Sequence, residues 1–293
     1  MDELNFKLIE RSKLSPWDLG NKMLYDLCCN HFGNDTQEKV VGKVWLIGRA
    51  YSVAVERRKN KVGKNEINDT FYLDIVAPTI IRSELDDRLK ELKAIDKPNL
   101  ENVKQILETH KYLTAILRKI TNMDKRSFSS KYLHFHLPKI FFIYDTRAVM
   151  ALRKLKSKVR TDLGPLFLSG NVDNEYANFF SKCYALTEHI NERYRQELSP
   201  RQLDNLLLEI ANKALKPGIK RNVTATQEKV AFFKSLIESG NYTPSELVEK
   251  GHKRFPNLTK STILTFLIDS KNPKYNKFEN LVVSNGGKLA FKS

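Results

Sequence analysis

The stretch SKYLHFHLPKIFFIYDTRA, Ser130 to Ala148, decides how this chain is read. It starts as a helix, turns, runs through the apolar and aromatic segment IFFIY, and meets a carboxylate, Asp145. A fresh helical pattern, TRAVMALRKLK, follows at once. An aspartate in that place is a helix N-cap, its side chain accepting backbone N–H bonds of the first turn. The same geometry has a chemical use. A helix N-terminus favours negative charge, and an aromatic approach excludes water and strengthens electrostatics. Such a carboxylate suits a reaction that develops a cation or must activate a water. Asp145 is thus both a cap and a candidate catalyst.

The neighbours of Asp145 extend this reading. Arg147, and the basic run Arg153, Lys154, Lys156, Lys158 and Arg160, can hold a phosphate backbone close by. Upstream, His134 and His136 form an HxH pair, which chelates metal on a strand. On a helix the two point apart, so they are expected to touch DNA phosphate. No metal and no other cofactor is expected.

Composition supports a polyanionic partner. The 293 residues include 50 Lys+Arg against 34 Asp+Glu, a net charge of +16, which favours nucleic acid. The 41% hydrophobic content excludes a disordered chain. No apolar run reaches membrane-spanning length, and the opening MDELNFKLIERSK lacks the apolar core of a signal peptide. Cys28, Cys29 and Cys183 are an odd number in a long chain, pointing to a reducing cytoplasm. They are expected as buried thiols.

A mainly α-helical fold is predicted. NLENVKQILETHKYLTAILRKI repeats apolar residues at steps of three and four behind Asn99, and Ser199 with Pro200 opens another helix. EKVVGKVWLIGRAYSVAVERRKN reads as one long helix, and DTFYLDIVAPTI as a short strand or extended loop. Pro217 and Gly218 mark a boundary, giving domains 1–218 and 219–293. In the second, three helices precede a hairpin around Asn285-Gly286-Gly287. That order makes a winged helix-turn-helix, presenting Thr259, Lys260, Ser261 and Thr262 to nucleic acid, with Lys288 on the wing.

Three stretches resemble one family in order. YDTRAVMAL resembles the motif of helix-hairpin-helix DNA glycosylases, in which an aspartate caps the helix after the hairpin. WLIGRAYSVAVERR is similar to the early helix lining their base pocket, and LSPRQLDNLLLEIA to the closing helix of their 8-oxoguanine-type branch. The resemblance spans roughly Val40 to Ala214 and stops before the winged helix. It implies excision of a base flipped out of double-stranded DNA, with Asp145 stabilising the oxocarbenium-like sugar and orienting the water. In the bifunctional branch a hairpin lysine attacks the sugar. Here the glycine-rich hairpin is missing. The spacing of that lysine falls on Arg126, which cannot be a nucleophile; either Lys125 or Lys131 takes its catalytic place, or the enzyme is monofunctional. A monofunctional enzyme is expected, with Arg126 and the lysines as contacts to the DNA phosphates.

Within that resemblance, Trp45, Tyr51 and Tyr144 can stack on an extruded base, and Arg49 or Tyr51 can fill the hole it leaves. Glu56 is expected to pair internally. The divergent hairpin suggests a base other than the common oxidised purine, such as the bulky modified bases of phage DNA, and hence a defence role. No protein partner is implied. The rival is a non-enzymatic DNA-binding regulator. A nuclease is disfavoured, because carboxylates such as Asp69 and Asp74 form no convincing cluster.

Overall fold

A computed structural model describes residues 4–57, 68–214, 223–239 and 242–256, and shorter pieces between 258 and 291. The fold is mainly α-helical. It divides into two compact units, Met1–Leu215 and Lys216–Ser293, against an expected boundary after Gly218.

The first unit runs α1 (Phe6–Ser12), α2 (Asp18–Asn30), α3 (Gln37–Ala50), α4 (Asn68–Thr70), a π-helical turn (Phe71–Val76), α5 (Ala77–Ile81) and α6 (Leu85–Leu92). Then come α7 (Val103–Thr121), α8 (Arg126–His136), α9 (Thr146–Lys154), a 3-10 turn (Thr161–Leu163), α10 (Gly164–Leu168), α11 (Asn174–Tyr194) and α12 (Pro200–Ala214). The stripe read in α7 is its buried face: Ile106, Leu107, Leu113 and Leu117 are all buried. Each such side chain contributes about 2 kcal/mol by leaving water. Asn99 caps the turn ahead of α7, its Oδ1 accepting from the backbone of Glu101 at 2.9 Å and Asn102 at 3.0 Å. Ser199 and Gln202 exchange backbone bonds across the start of α12, at 2.9 and 3.3 Å, a reciprocal cap.

Two expectations fail here. The long helix stops at Ala50. Ser52 takes φ 55°, and the N–H groups of Ser52 and Val53 turn back to the carbonyls of Arg49 and Gly48. That is the Schellman arrangement with serine in the usual glycine place. The returning chain passes so close that a Cβ on Gly48 would lie 3.1 Å from Ala54 Cα. The segment read as strand or loop is helical instead. Pro78 offers no N–H, and the Ala77 N–H reaches back to Tyr72 O, forming the wide turn.

The second unit contains α13 (Val223–Glu238), α14 (Pro244–Arg254) and an antiparallel pair, β1 (Leu281–Val283) with β2 (Leu289–Phe291), Val282 opposite Ala290. Thr243 and Glu246 form the expected capping box on α14. Phe233, Ile237, Leu247 and Ile263 make its core. Gly251 is required there, because a Cβ would sit 2.4 Å from Phe233 Cζ. Thr262, Ser261, Lys288 and the Asn285-Gly286 turn lie outside the described residues.

Candidate active site

Phe141 to Tyr144 is extended and its side chains are largely buried, yet it pairs with no strand among the described residues. Its backbone groups need partners all the same. Ser127, Ser130, Lys131 and His134, spaced to share one face of α8, partner three of these groups. Ser130 Oγ accepts from Tyr144 N at 2.9 Å. Lys131 Nζ and Ser127 Oγ donate to Tyr144 O at 2.9 and 3.1 Å. His134 Nδ1 donates to Phe141 O at 2.8 Å, and Tyr176 of α11 donates to Phe142 O at 2.9 Å. This side-chain ladder fixes the approach to Asp145.

Asp145 caps α9 as read. Its backbone is extended, φ −144° and ψ 146°, and Oδ1 accepts from Arg147 N at 2.8 Å. The Arg147 side chain stands alongside, Nε 3.6 Å from Oδ1. The Asp145 side chain keeps 29% of its surface, so a solvent or substrate atom can reach it.

Lys131 lies behind this carboxylate and is 1% exposed. Its three protons have three acceptors: Tyr144 O, Ser127 Oγ at 2.8 Å and Ser127 O at 3.3 Å. Burial pushes the amine down to about 8, while the charges of Asp145 and Asp204 pull it back up.

A second layer comes from α12. Arg201 donates from Nη1 to Asp204 Oδ2 at 3.0 Å, from Nη2 to the Tyr51 hydroxyl at 2.9 Å and from Nε to the Tyr25 hydroxyl at 3.1 Å. Its guanidinium also faces the rings of Tyr51 and Phe135, each at 5.6 Å. The Tyr51 hydroxyl donates onward to Asn21 Oδ1 at 2.6 Å. The His134 tautomer follows from the same network. Nδ1 must carry the proton it gives to Phe141 O, so Nε2 accepts from the Tyr25 hydroxyl at 2.7 Å. Burial and nearby Arg201 hold this imidazole well below its ordinary range, which keeps it neutral. Burial raises the Asp204 carboxyl against the pull of Arg201 and Lys131.

The structure therefore corrects the histidine assignment. His134 and His136 are buried and cannot reach a phosphate. His136 donates from Nδ1 to Tyr132 O at 2.8 Å and accepts from Lys43 Nζ at 3.2 Å. Lys43 in turn caps the end of α2 through the carbonyls of His31 and Gly33. Arg126 is corrected too. It grips both Asp173 oxygens at 2.7 and 2.8 Å and pairs with Glu175 at 2.9 Å, so its guanidinium serves the fold. Lys125 donates to the carbonyl of Arg57.

Tyr51 is the aromatic brought to the site. Trp45, 45% exposed, lies on α3 beneath the Arg49 guanidinium at 5.9 Å, and Arg49 pairs with Glu56 at 2.7 Å, the internal pairing expected of Glu56. Tyr144 turns its hydroxyl to Glu175. Arg147 and Arg153 are exposed, whereas Arg160 is committed to Asp162 and Glu188. In the second unit Lys260 is exposed and pairs with Glu249. No group of His, Cys, Asp and Glu suited to a metal occurs among the described residues, Asp69 and Asp74 included.

Arg201 and Asp204 were not singled out in the sequence, though a signal existed. Asp204 interrupts the stripe Leu203, Leu206, Leu207, Ile210, all buried, and a charge on the apolar face of a helix calls for a partner. No family model, no curated protein and no solved structure matches this chain.

Proposed function

We propose that the chain is a DNA N-glycosylase that hydrolyses the bond between a modified base and its sugar in double-stranded DNA, leaving an abasic site. The observation that carries this reading is the Asp145 carboxylate. It is seated on the first turn of α9, partly open, and delivered by a segment whose path α8 locks.

The chemistry fits that group. As the N-glycosidic bond breaks, its electron pair leaves with the base and positive charge develops on the sugar. A fixed carboxylate stabilises that charge at close range and takes a proton from the water that attacks the sugar carbon. The base must first leave the stack, and the half-buried Tyr51 ring beside Lys131, 5.7 Å from its Nζ, gives it an aromatic neighbour. Exposed Arg147 and Arg153 flank the site as phosphate contacts.

The burial of Lys131 and the saturation of its protons favour hydrolysis over attack by an amine. Lys131 acts as a brace, and the enzyme is monofunctional. The net charge of +16 supports DNA as partner, with the second unit adding grip as a winged helix. Cytoplasmic action on phage-modified bases rests on the chain's free cysteines and on its divergence from the glycine-rich hairpin; among the described residues no helix is long and apolar enough to cross a membrane. The test is base release from ordinary, oxidised, deaminated and phage-modified DNA. Abasic sites revealed by alkali, made by wild type and lost in Asp145→Asn, establish the reading. Tight DNA binding by both proteins without release from any substrate moves the chain to the regulator class.

A further inference from the structure

Asp204 is the one buried carboxylate on α12, 4% exposed, and only half of it is used. Oδ2 meets Arg201 at 3.0 Å, while Oδ1 has no hydrogen-bond partner among the described residues. A buried polar atom left without a partner costs about 1–3 kcal/mol. The question is what the charge acts upon.

Two cations meet at Tyr51. Arg201 bonds its hydroxyl from α12, and Lys131 approaches its ring from α8. The charged groups around Lys131 are then few. From α9 come Asp145 and Arg147, from α12 Arg201 and Asp204, and on its own helix the nearby His134 is neutral. Three cations face two carboxylates. Without Asp204, Asp145 would be the one carboxylate among these groups left to oppose the Lys131 ammonium and the two guanidinium groups. Lys131 also holds the carbonyl of Tyr144, the residue directly before Asp145.

We propose that Asp204 is a positioning residue for Asp145: its charge, supplied from α12, keeps the Lys131 ammonium seated on the Tyr144 carbonyl and thereby fixes the Asp145 carboxylate. Arg201 holds Asp204 in place through Oδ2, and the carboxylate's charge acts on Lys131 without a direct hydrogen bond. The consequence for catalysis rests on the reading of Asp145 given above. The electrostatic link itself does not.

The experiment follows Lys131 directly, by the NMR titration of its side chain in the full-length protein without DNA, with Lys131→Arg identifying the signal. Wild type is expected to titrate at about 8. Asp204→Asn, which keeps the shape and an acceptor for Arg201, is expected to lower that midpoint by about one unit. The sign is decisive. Local loosening would hydrate Lys131 and raise its midpoint toward the ordinary 10.5, so a rise, or no change, overturns the proposal. The wild-type Asp204 carboxyl signal needs no variant and must show a second inflection at the Lys131 midpoint; its absence also overturns the proposal. Base release by Asp204→Asn is expected to lose its alkaline limb by the same shift. If wild type releases no base, the glycosylase reading fails, and the titration still decides the role of Asp204.

Discussion

The Nζ of Lys131 donates to the carbonyl of Tyr144 at 2.9 Å, and the next residue along the chain is the capping Asp145. A buried cation thus holds the peptide that presents an open carboxylate. Helix α8 and the extended segment it braces act together as a mount for one side chain.

The mount separates capping from chemistry at Asp145. Asparagine caps a helix about as well as aspartate, whereas alanine costs about 1 kcal/mol. Asp145→Asn is expected to melt with wild type, and Asp145→Ala slightly below it, while both lose about 10²-fold or more in base release. Thermal melts and single-turnover assays on one preparation check this. Equal losses of stability and activity in both variants would return Asp145 to a structural role.

Lys131 is expected to form no covalent adduct. Its amine is buried and saturated by Ser127 and Tyr144, so borohydride added during turnover should trap no protein–DNA complex. Lys131→Met is expected to keep the overall fold at reduced stability, since methionine fills a similar volume and Ser127 Oγ still donates to Tyr144 O. It should nevertheless slow base release by about 10-fold or more through a displaced carboxylate. A trapped complex that vanishes in Lys131→Met would make the lysine a nucleophile.

Stability should fall on mild acidification. Burial holds His110 and His136 down to about 3 and His134 well below its ordinary value, so all three are neutral when folded. The unfolded chain titrates its histidines near 6.5. Between these values the unfolded state binds more protons, so stability rises with pH across the window and is lost as pH falls below about 6.5. Urea midpoints at pH ~7 and ~5 measure it, and His136→Gln is expected to lose less on the same step. A midpoint indifferent to pH would contradict the buried network.

In the second unit, Gly251→Ala places a methyl 2.4 Å from Phe233 Cζ and 2.8 Å from Cε1. Overpacking of this kind costs about 1–3 kcal/mol. The effect should appear as a lower transition for that unit and weaker DNA binding, with base release from saturating DNA unchanged. Calorimetry distinguishes the outcomes.

Local signals made much of this fold legible in advance. The cap at Asp145, the reciprocal caps at Ser199 and Thr243 and the stripe of α7 each depend on residues within a turn or two of one another. The end of α3 was not legible, because Ser52 adopts a conformation that favours glycine and its sequence continues a helical pattern. The wide turn at Phe71–Val76 depends on how Pro78 removes one donor from the ladder. His134 and His136 misled for a different reason. Their partners are backbone carbonyls in a buried core, which local sequence does not reveal, whereas a basic chain points to phosphate. Spacing puts Arg126 near the DNA, but its guanidinium is held by Asp173, 47 positions away. The Arg201–Asp204 pair is legible as a charge on the apolar face of α12.

The most direct measurement is release of a base from phage-modified duplex DNA by wild type and by Asp145→Asn, read as alkali-sensitive abasic sites. Release by wild type, with a loss of about 10²-fold or more in the variant and unchanged DNA affinity, is the expected result. Equal release by the two proteins, or none from any modified DNA, would contradict the assignment of Asp145 as the reacting carboxylate.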